Sequence, residues 1–204
     1  MQDPSEPAAV GRAPRVGVVL LAAGRGTRFG PAPKLLATLD GEPLVRHAAR
    51  AALASRARPV IAVIGAHAER VRAALDGLGL RVVENPTYAD GLSTSLRAGL
   101  AALPGEAEAA IVMLGDMPRV AGPHLDALIA AFAAADPRPC AVIPVTDGRR
   151  GNPVLIDHHR LRDALAALEG DRGAAPILAG RADVAEIAMD AAVGFDVDTP
   201  DALV

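Results

Sequence analysis

Apolar and polar positions along this chain fall into blocks, with short saturated apolar runs separated by longer stretches of helical spacing. Apolar runs bounded by Gly or Pro suit strands buried on both faces of a parallel sheet. The pattern predicts strands at Val16–Ala22, Val60–Ile64, Leu80–Glu84, Ala109–Leu114, Cys140–Val145, Pro153–Ile156 and Val184–Met189, with a short one at Val193–Val197. Helices are predicted at Leu44–Ala54, Ala68–Leu78, Ser93–Leu103, Pro123–Ala135, Arg160–Leu168 and Ala174–Ala179. Within the fourth, Leu125, Leu128, Ile129 and Phe132 form the i, i+3, i+4, i+7 stripe of a core-facing helix. Ser93 is the expected N-cap of the third, and Pro123 suits the first turn of the fourth. Asp147-Gly148 between two short strands predicts a tight turn, and with it one antiparallel excursion. Strand–helix alternation of this kind predicts the α/β class: a three-layer α/β/α Rossmann-like domain around a mostly parallel sheet. Residues 1–15 carry Pro4, Pro7, Pro14, Asp3 and Glu6 and no apolar core, so a disordered tail is expected before one domain spanning 16–204.

Composition narrows the function classes. With 51% hydrophobic residues but one Tyr, three Phe and no Trp, the core must be built from Ala, Val, Leu and Ile. The shortage of aromatic platforms disfavours single-stranded nucleic acid as a ligand, and a net charge of −3 disfavours phosphate-backbone binding in general. No apolar run approaches the ~18 residues of a membrane helix. Cys140 is the only cysteine, so neither an intrachain disulfide nor a cysteine-rich metal site can form, and it reads as an inert core residue. Met1–Arg15 lacks the apolar centre of a signal peptide, and a cytoplasmic protein is expected. His158-His159 has no companion acid at metal-ligand spacing, and all five histidines read as structural or solvated.

The richest chemistry lies in Val-Val-Leu-Leu-Ala-Ala-Gly-Arg-Gly-Thr-Arg-Phe-Gly-Pro-Ala-Pro-Lys, residues 18–34. A strand ends there in Gly24, Gly26 and Gly30, interleaved with Arg25, Arg28 and Lys34. Glycines let backbone N–H groups approach an anion closely, and the cations supply the charge a polyphosphate needs. No Lys directly follows a glycine, so this is no Walker A loop; Phe29 stands where a dinucleotide fingerprint needs its third Gly. A bland alternative is a strand–turn–helix junction with solvated cations, which three cations beside three glycines make the weaker reading. Further along, Ile-Val-Met-Leu-Gly-Asp-Met-Pro ends an apolar strand in Asp116, and Gly-Phe-Asp-Val-Asp-Thr-Pro carries Asp196 and Asp198. Open α/β sheets bind ligands beyond the strands' carboxyl ends, and Mg²⁺ is held by one or two carboxylates plus substrate phosphates. Asp116 and Asp198 are therefore the expected metal ligands. If 193–197 is extended, Asp196 shares the face of Asp198 as a supporting neighbour. Taken singly, each acid also reads as a turn or cap residue.

The order L-A-A-G-x-G-T-R-x-G-x-x-x-K, N-P-x-Y-x-x-G-L-S-T-S-L-R-A-G-L, G-D-M-P, R-G-N-P-V-L, L-E-G-D-R-G-A-A and D-V-D-T-P, from about Val16 to Leu203, resembles the molybdenum cofactor cytidylyltransferases, within the MobA-like nucleotidyltransferase superfamily. It departs from that pattern at Asn152, where relatives tend to carry His, and at Ala175, where they tend to carry Arg. The resemblance implies a nucleotide-diphospho-sugar transferase type of fold, Mg²⁺, and transfer of CMP from CTP to molybdopterin with release of pyrophosphate. It implies Arg28, Lys34 and Asp116 as catalytic groups, and Ala22, Ala23, Gly24, Arg25, Gly26, Arg28, Lys34, Gly91 and Ser95 around the nucleotide. Gly91 and Ser95 would meet the cytosine, and the Ala22-Ala23-Gly24 opening suggests CTP rather than GTP. The expected protein is a monomer, with a molybdoenzyme apoprotein or its chaperone as client. Rival readings are a guanylyl or other transferase acting on a different phosphorylated acceptor such as a sugar phosphate, and a non-catalytic nucleotide-sensing or cofactor-delivery module.

Overall fold

A computed structural model describes residues 12–26, 29 and 32–203. In chain order the strands are β1 (Val16–Ala22), β2 (Thr38–Leu39), β3 (Glu42–Pro43), β4 (Val60–Ile64), β5 (Arg81–Glu84), β6 (Ala109–Leu114), β7 (Ala141–Thr146), β8 (Arg149–Arg150), β9 (Val154–Ile156) and β10 (Val184–Ala188). The helices are α1 (Leu44–Ala54), α2 (Ala68–Ala74), α3 (Leu92–Ala101), α4 (Gly122–Ala134), α5 (Arg162–Ala166) and α6 (Ala175–Leu178).

The main sheet runs β10-β7-β9-β6-β1-β4-β5. β1 lies parallel between β4 and β6, and its seven residues are all buried, which is why its sequence is apolar without alternation. Side chains of β1 still divide by parity. Val16, Val18, Leu20 and Ala22 pack with α1, α2 and α4 on one face. Val19, Leu21 and Ala23 pack with α3, α5 and α6 on the other, giving the three layers. Gly99 lets α3 lie close on that second face, since a Cβ there would collide with Val19.

The antiparallel excursion has two parts. β7 and β8 form a hairpin whose turn, Asp147-Gly148, has positive φ at both residues (48° and 72°), as a type I′ turn requires. β9 then runs antiparallel between β6 and β7, in register as Ala110↔Ile156 and Ile111↔Leu155 on one side and Ala141↔Ile156 and Val142↔Leu155 on the other.

Three local expectations need correction. Residues 193–197 form no strand: Ala191–Gly194 is a 3₁₀ turn opened by Asp190, whose carboxylate accepts from the N–H of Ala192. The second helix ends at Ala74, short of the Gly77 and Gly79 breaks. Ser93 does not cap α3; the cap position is Gly91, and the Ser93 hydroxyl is buried with no hydrogen-bond partner among the described residues.

Of the expected tail 1–15, residues 1–11 lie outside the described residues, while 12–15 lie against the sheet. There the Glu108 carboxylate accepts from the Arg15 N–H at 3.1 Å, and from Arg12 at 2.7 Å and Arg138 at 3.0 Å. The Arg15 hydrogen bond, aided by the two guanidinium charges and opposed by desolvation, holds the Glu108 carboxyl below its ordinary pKa. A carboxylate with a depressed folded-state pKa stabilises above its unfolded value, and that contribution disappears as pH falls through the folded value. Glu108→Gln should therefore cost about 0.5–1 kcal/mol at pH 7, with the difference from the parent shrinking below about pH 4.5. Denaturant melts at both pH values check this; a constant difference would show that the charge is irrelevant.

Cys140 is fully buried at the foot of β7, where burial keeps its thiol above the usual pKa. His47 and His159 bond backbone carbonyls, and His124 accepts from the Ala121 N–H, so these three are committed to local structure.

Candidate functional site

The carboxyl ends of β1 and β6 lie side by side, and the loops that follow them open a cavity of about 530 Å³. Ala23, Gly24, Arg25 and Gly26 line it from the β1 loop, and Leu114, Gly115 and Asp116 from the end of β6. Tyr88, Gly91, Leu92 and Ser95 close it from the start of α3, joined by Asp171, Asp196 and Asp198. Ala22, expected at the nucleotide, is buried as the last residue of β1 and does not line the cavity. Arg28 lies outside the described residues.

Lys34 enters from a 3₁₀ turn, Lys34–Leu36, behind the glycine loop. Gly26 makes this possible: its φ is +60°, and a Cβ there would stand 2.7 Å from the Cβ of Lys34. The Lys34 side chain is only 10% exposed, and its Nζ lies 2.7 Å from Asp116 Oδ2 and 2.8 Å from Asp198 Oδ1. Burial alone would lower the lysine's pKa, but hydrogen bonds and charge from the two aspartates outweigh it and raise the value. It is a permanent cation at neutral pH.

Asp116, Asp196 and Asp198 each bring an oxygen within 4.8 Å of the others. Asp198 and Asp196 reach this position from an irregular segment, which is stitched in place by the Val197 N–H donating to the Asp116 carbonyl at 3.0 Å. Desolvation, then the charges of Asp198 and Asp116, push the pKa of Asp196 above the ordinary carboxylate value. Asp116 Oδ1 is buried and has no hydrogen-bond partner among the described residues. Buried polar atoms rarely go unpaired, so an orphaned anionic oxygen beside two more carboxylates is a site that fits a divalent cation. Asp196 thus stands within the carboxylate group instead of behind it; the D-V-D spacing was the signal.

The α3 side of the cavity is fixed by contacts the sequence does not advertise. Asn85 is buried; its Nδ2 donates to Thr94 Oγ1 at 2.8 Å and to Ser95 Oγ at 3.0 Å. Its Oδ1 accepts from the backbone and hydroxyl of Thr87, which sets the orientation of the amide. Ser95 Oγ, which lines the cavity, therefore receives one hydrogen bond from behind. Gly91, with φ +111°, packs on the Gly170 backbone so tightly that a Cβ would overlap it. The Ser93 N–H donates to the Gly170 carbonyl at 3.0 Å, and Arg97 bonds the Leu168 carbonyl. These contacts hold 168–171 against α3 and place Asp171 on the cavity wall. Gly91 acts here through backbone packing. Tyr88, near Arg25 with 5.6 Å from guanidinium carbon to ring centroid, and Asp171 are cavity residues that sequence reasoning did not single out.

A glycine loop, a buried lysine and converged carboxylates thus meet at the carboxyl edge of the sheet, where open α/β folds bind phosphorylated ligands. The chain belongs to the MobA-like NTP transferase domain family, whose profile matches residues 18–186. It is 33% identical over 192 residues to nicotine blue oxidoreductase of Paenarthrobacter nicotinovorans, covering 91% of this chain and 93% of that protein. With 2-C-methyl-D-erythritol 4-phosphate cytidylyltransferase of Streptomyces coelicolor it shares 38% identity over 144 residues, 67% of this chain. The match spans about half of that relative's length, 53%. Among solved structures, Rv0371c of Mycobacterium tuberculosis superposes with a TM-score of 0.80 at 31% identity, covering 93% of this chain and 96% of that one. Its complex with manganese superposes at 0.75, again at 31% identity, covering 92% and 95%. No helix among the described residues is long and apolar enough to cross a membrane.

Proposed function

We propose that this protein is a Mg²⁺-dependent cytidylyltransferase that transfers CMP from CTP to the phosphate of molybdopterin, releasing pyrophosphate, in the cytoplasm. The observation that carries this reading is the convergence of Lys34 and three carboxylates at the mouth of the glycine-loop cavity. Asp116 and Asp198, with Asp196, would hold the metal, and the manganese complex of Rv0371c supports a divalent cation in this family. When bound, that cation supplies Lewis-acid neutralisation of phosphate oxygens.

The remaining work falls to the chain's own groups. Amides of Gly24 and Gly26 cradle the triphosphate, and Arg25 and Lys34 balance its charge. Arg28 carries the second phosphate-binding role proposed from the sequence. An acceptor phosphate oxygen attacks the α-phosphorus, the α–β bridge bond breaks, and pyrophosphate leaves with the electron pair. Such transfers need positioning and charge stabilisation more than covalent help. Lys34, shielded from water, is placed to neutralise the leaving pyrophosphate. The Ser95 hydroxyl donates to an acceptor atom on the base edge.

Base choice follows from that hydroxyl. A site that hydrogen-bonds a base leaves buried polar groups unpaired when the wrong base enters, at about 1–3 kcal/mol each. CTP should exceed GTP in kcat/KM by roughly tenfold or more, and Ser95→Ala should shrink that ratio. Pyrophosphate release from Mg²⁺, molybdopterin and each of the four NTPs tests the whole reading. A GTP or ATP preference removes the cytidylyl assignment and leaves a transferase for another base.

The relative named as an oxidoreductase supports a second reading, a redox enzyme on the same scaffold. Reduction or oxidation of a dye substrate with no pyrophosphate released from any NTP would favour it.

A further inference from the structure

Arg119 follows Asp116 on the loop after β6, and its guanidinium carbon stands 3.6 Å from the centroid of the Phe195 ring. A guanidinium stacked on an aromatic face keeps its N–H edge for another partner. Arg119 is exposed, and among the described residues it has no hydrogen bond and no carboxylate within ion-pair distance. Most other arginines of this chain, by contrast, are engaged: Arg56, Arg138, Arg150 and Arg160 each hold a carboxylate.

Its place relative to the carboxylates is what gives this cation a use. Phe195 immediately precedes Asp196, and the Val197–Asp116 backbone hydrogen bond fixes the two loops to one another. Asp196 and Asp198 line the cavity, whereas Phe195 and Arg119 do not. The arginine therefore flanks the carboxylate group from outside the nucleotide cavity, while Arg25 and Lys34 serve the inside. Nucleotidyl transfer brings two polyanions together beside three aspartates. The triphosphate has cations in its cavity, but an acceptor phosphate needs one on its own approach.

We propose that Arg119, oriented by Phe195, forms the subsite for the phosphate monoester of the acceptor; this rests on the nucleotidyl-transfer reading of the cavity. Two guanidinium N–H groups bond two phosphate oxygens in a fork and leave the third free to attack the α-phosphorus. The new P–O–P bond forms as the α–β bond breaks, and the fork holds the nucleophile without drawing on the groups that bind pyrophosphate. Phe195 is a positioning residue in this arrangement.

The test separates the two ligands. Enzyme saturated with Mg²⁺ and the unreactive α,β-methylene CTP is titrated with phenyl phosphate, followed by ³¹P NMR, and the analogue's own affinity is measured in parallel. Arg119→Ala should weaken phenyl phosphate at least roughly tenfold, the loss of one charge-assisted fork, while the analogue binds within about twofold of normal. Arg119→Lys should recover part of the loss, and Phe195→Leu should reproduce a smaller share of it. Equal phenyl phosphate affinity in parent and Arg119→Ala, or no binding to the parent complex, overturns the subsite. An equal loss for both ligands overturns it too, because the arginine would then serve the nucleotide. The cytidylyl reading fails separately, through absent pyrophosphate release with molybdopterin while phenyl phosphate binding stays sensitive to Arg119.

Discussion

Asp116→Asn should reduce nucleotidyl transfer by about a thousandfold or more while leaving the protein folded. The carboxylate sits where β6 ends, one oxygen on Lys34 and the other buried without a partner among the described residues. Replacing it with an amide of the same shape removes a metal-binding charge, and the several kcal/mol of transition-state stabilisation at issue correspond to roughly 1.4 kcal/mol per decade of rate. The fold should survive, because the change also relieves repulsion among Asp116, Asp196 and Asp198. Asp198→Asn should act in the same direction with a smaller effect, its side chain being 48% exposed against 18% for Asp116. Steady-state pyrophosphate release beside a thermal melt decides the matter, and near-normal turnover with an unchanged melt would take Asp116 out of the metal site.

Lys34→Ala should produce the other large loss, and in two separable quantities. Loss of the cation that meets the departing pyrophosphate should lower kcat/KM for CTP by about 10²- to 10³-fold. The ligand-free protein should also lose about 1–3 kcal/mol, because Asp116 is left largely buried with no counter-charge. Raising the Mg²⁺ concentration should recover much of the stability, since a divalent cation neutralises the same oxygens, and little of the rate. A variant with normal kcat/KM, or one whose stability does not respond to Mg²⁺, would contradict the bridging role.

The parts of this molecule legible in the sequence are those decided locally. β1, β4, β6 and α1 keep the bounds read from their apolar runs because Gly and Pro punctuate them and both faces of each strand are buried. The strand-end rule was enough to bring Gly24, Gly26, Lys34 and Asp116 to one edge, although the motifs lie far apart in the chain. What escaped depends on partners distant in sequence. Ser93 reads as a cap by local chemistry, but the start of α3 is set by Gly91 packing on Gly170, and nothing near residue 91 signals that contact. Asp171 reaches the cavity only because Arg97 and Ser93 hold 168–171 against α3. Residues 193–197 have strand composition, yet no neighbouring strand offers them a ladder; Asp190 turns the chain instead, and the carboxylates converge without extended backbone.

The inverted strand β9 has a mechanical consequence for the whole sheet. Within the sheet, β6 and β7 are joined through this three-residue strand alone, by short ladders centred on Leu155 and Ile156, whereas β1 is laddered to β6 from Val16 to Leu21. The least backbone hydrogen bonding therefore lies along the line that separates the β1–β4–β6 half, which carries the glycine loop and Asp116, from the β7–β10 half. Local opening follows the segments with fewest bonds to break, so amide exchange should reveal β9 and the start of β7 long before β1. In that view the sheet is a stiff plate and a looser leaf joined along a narrow seam.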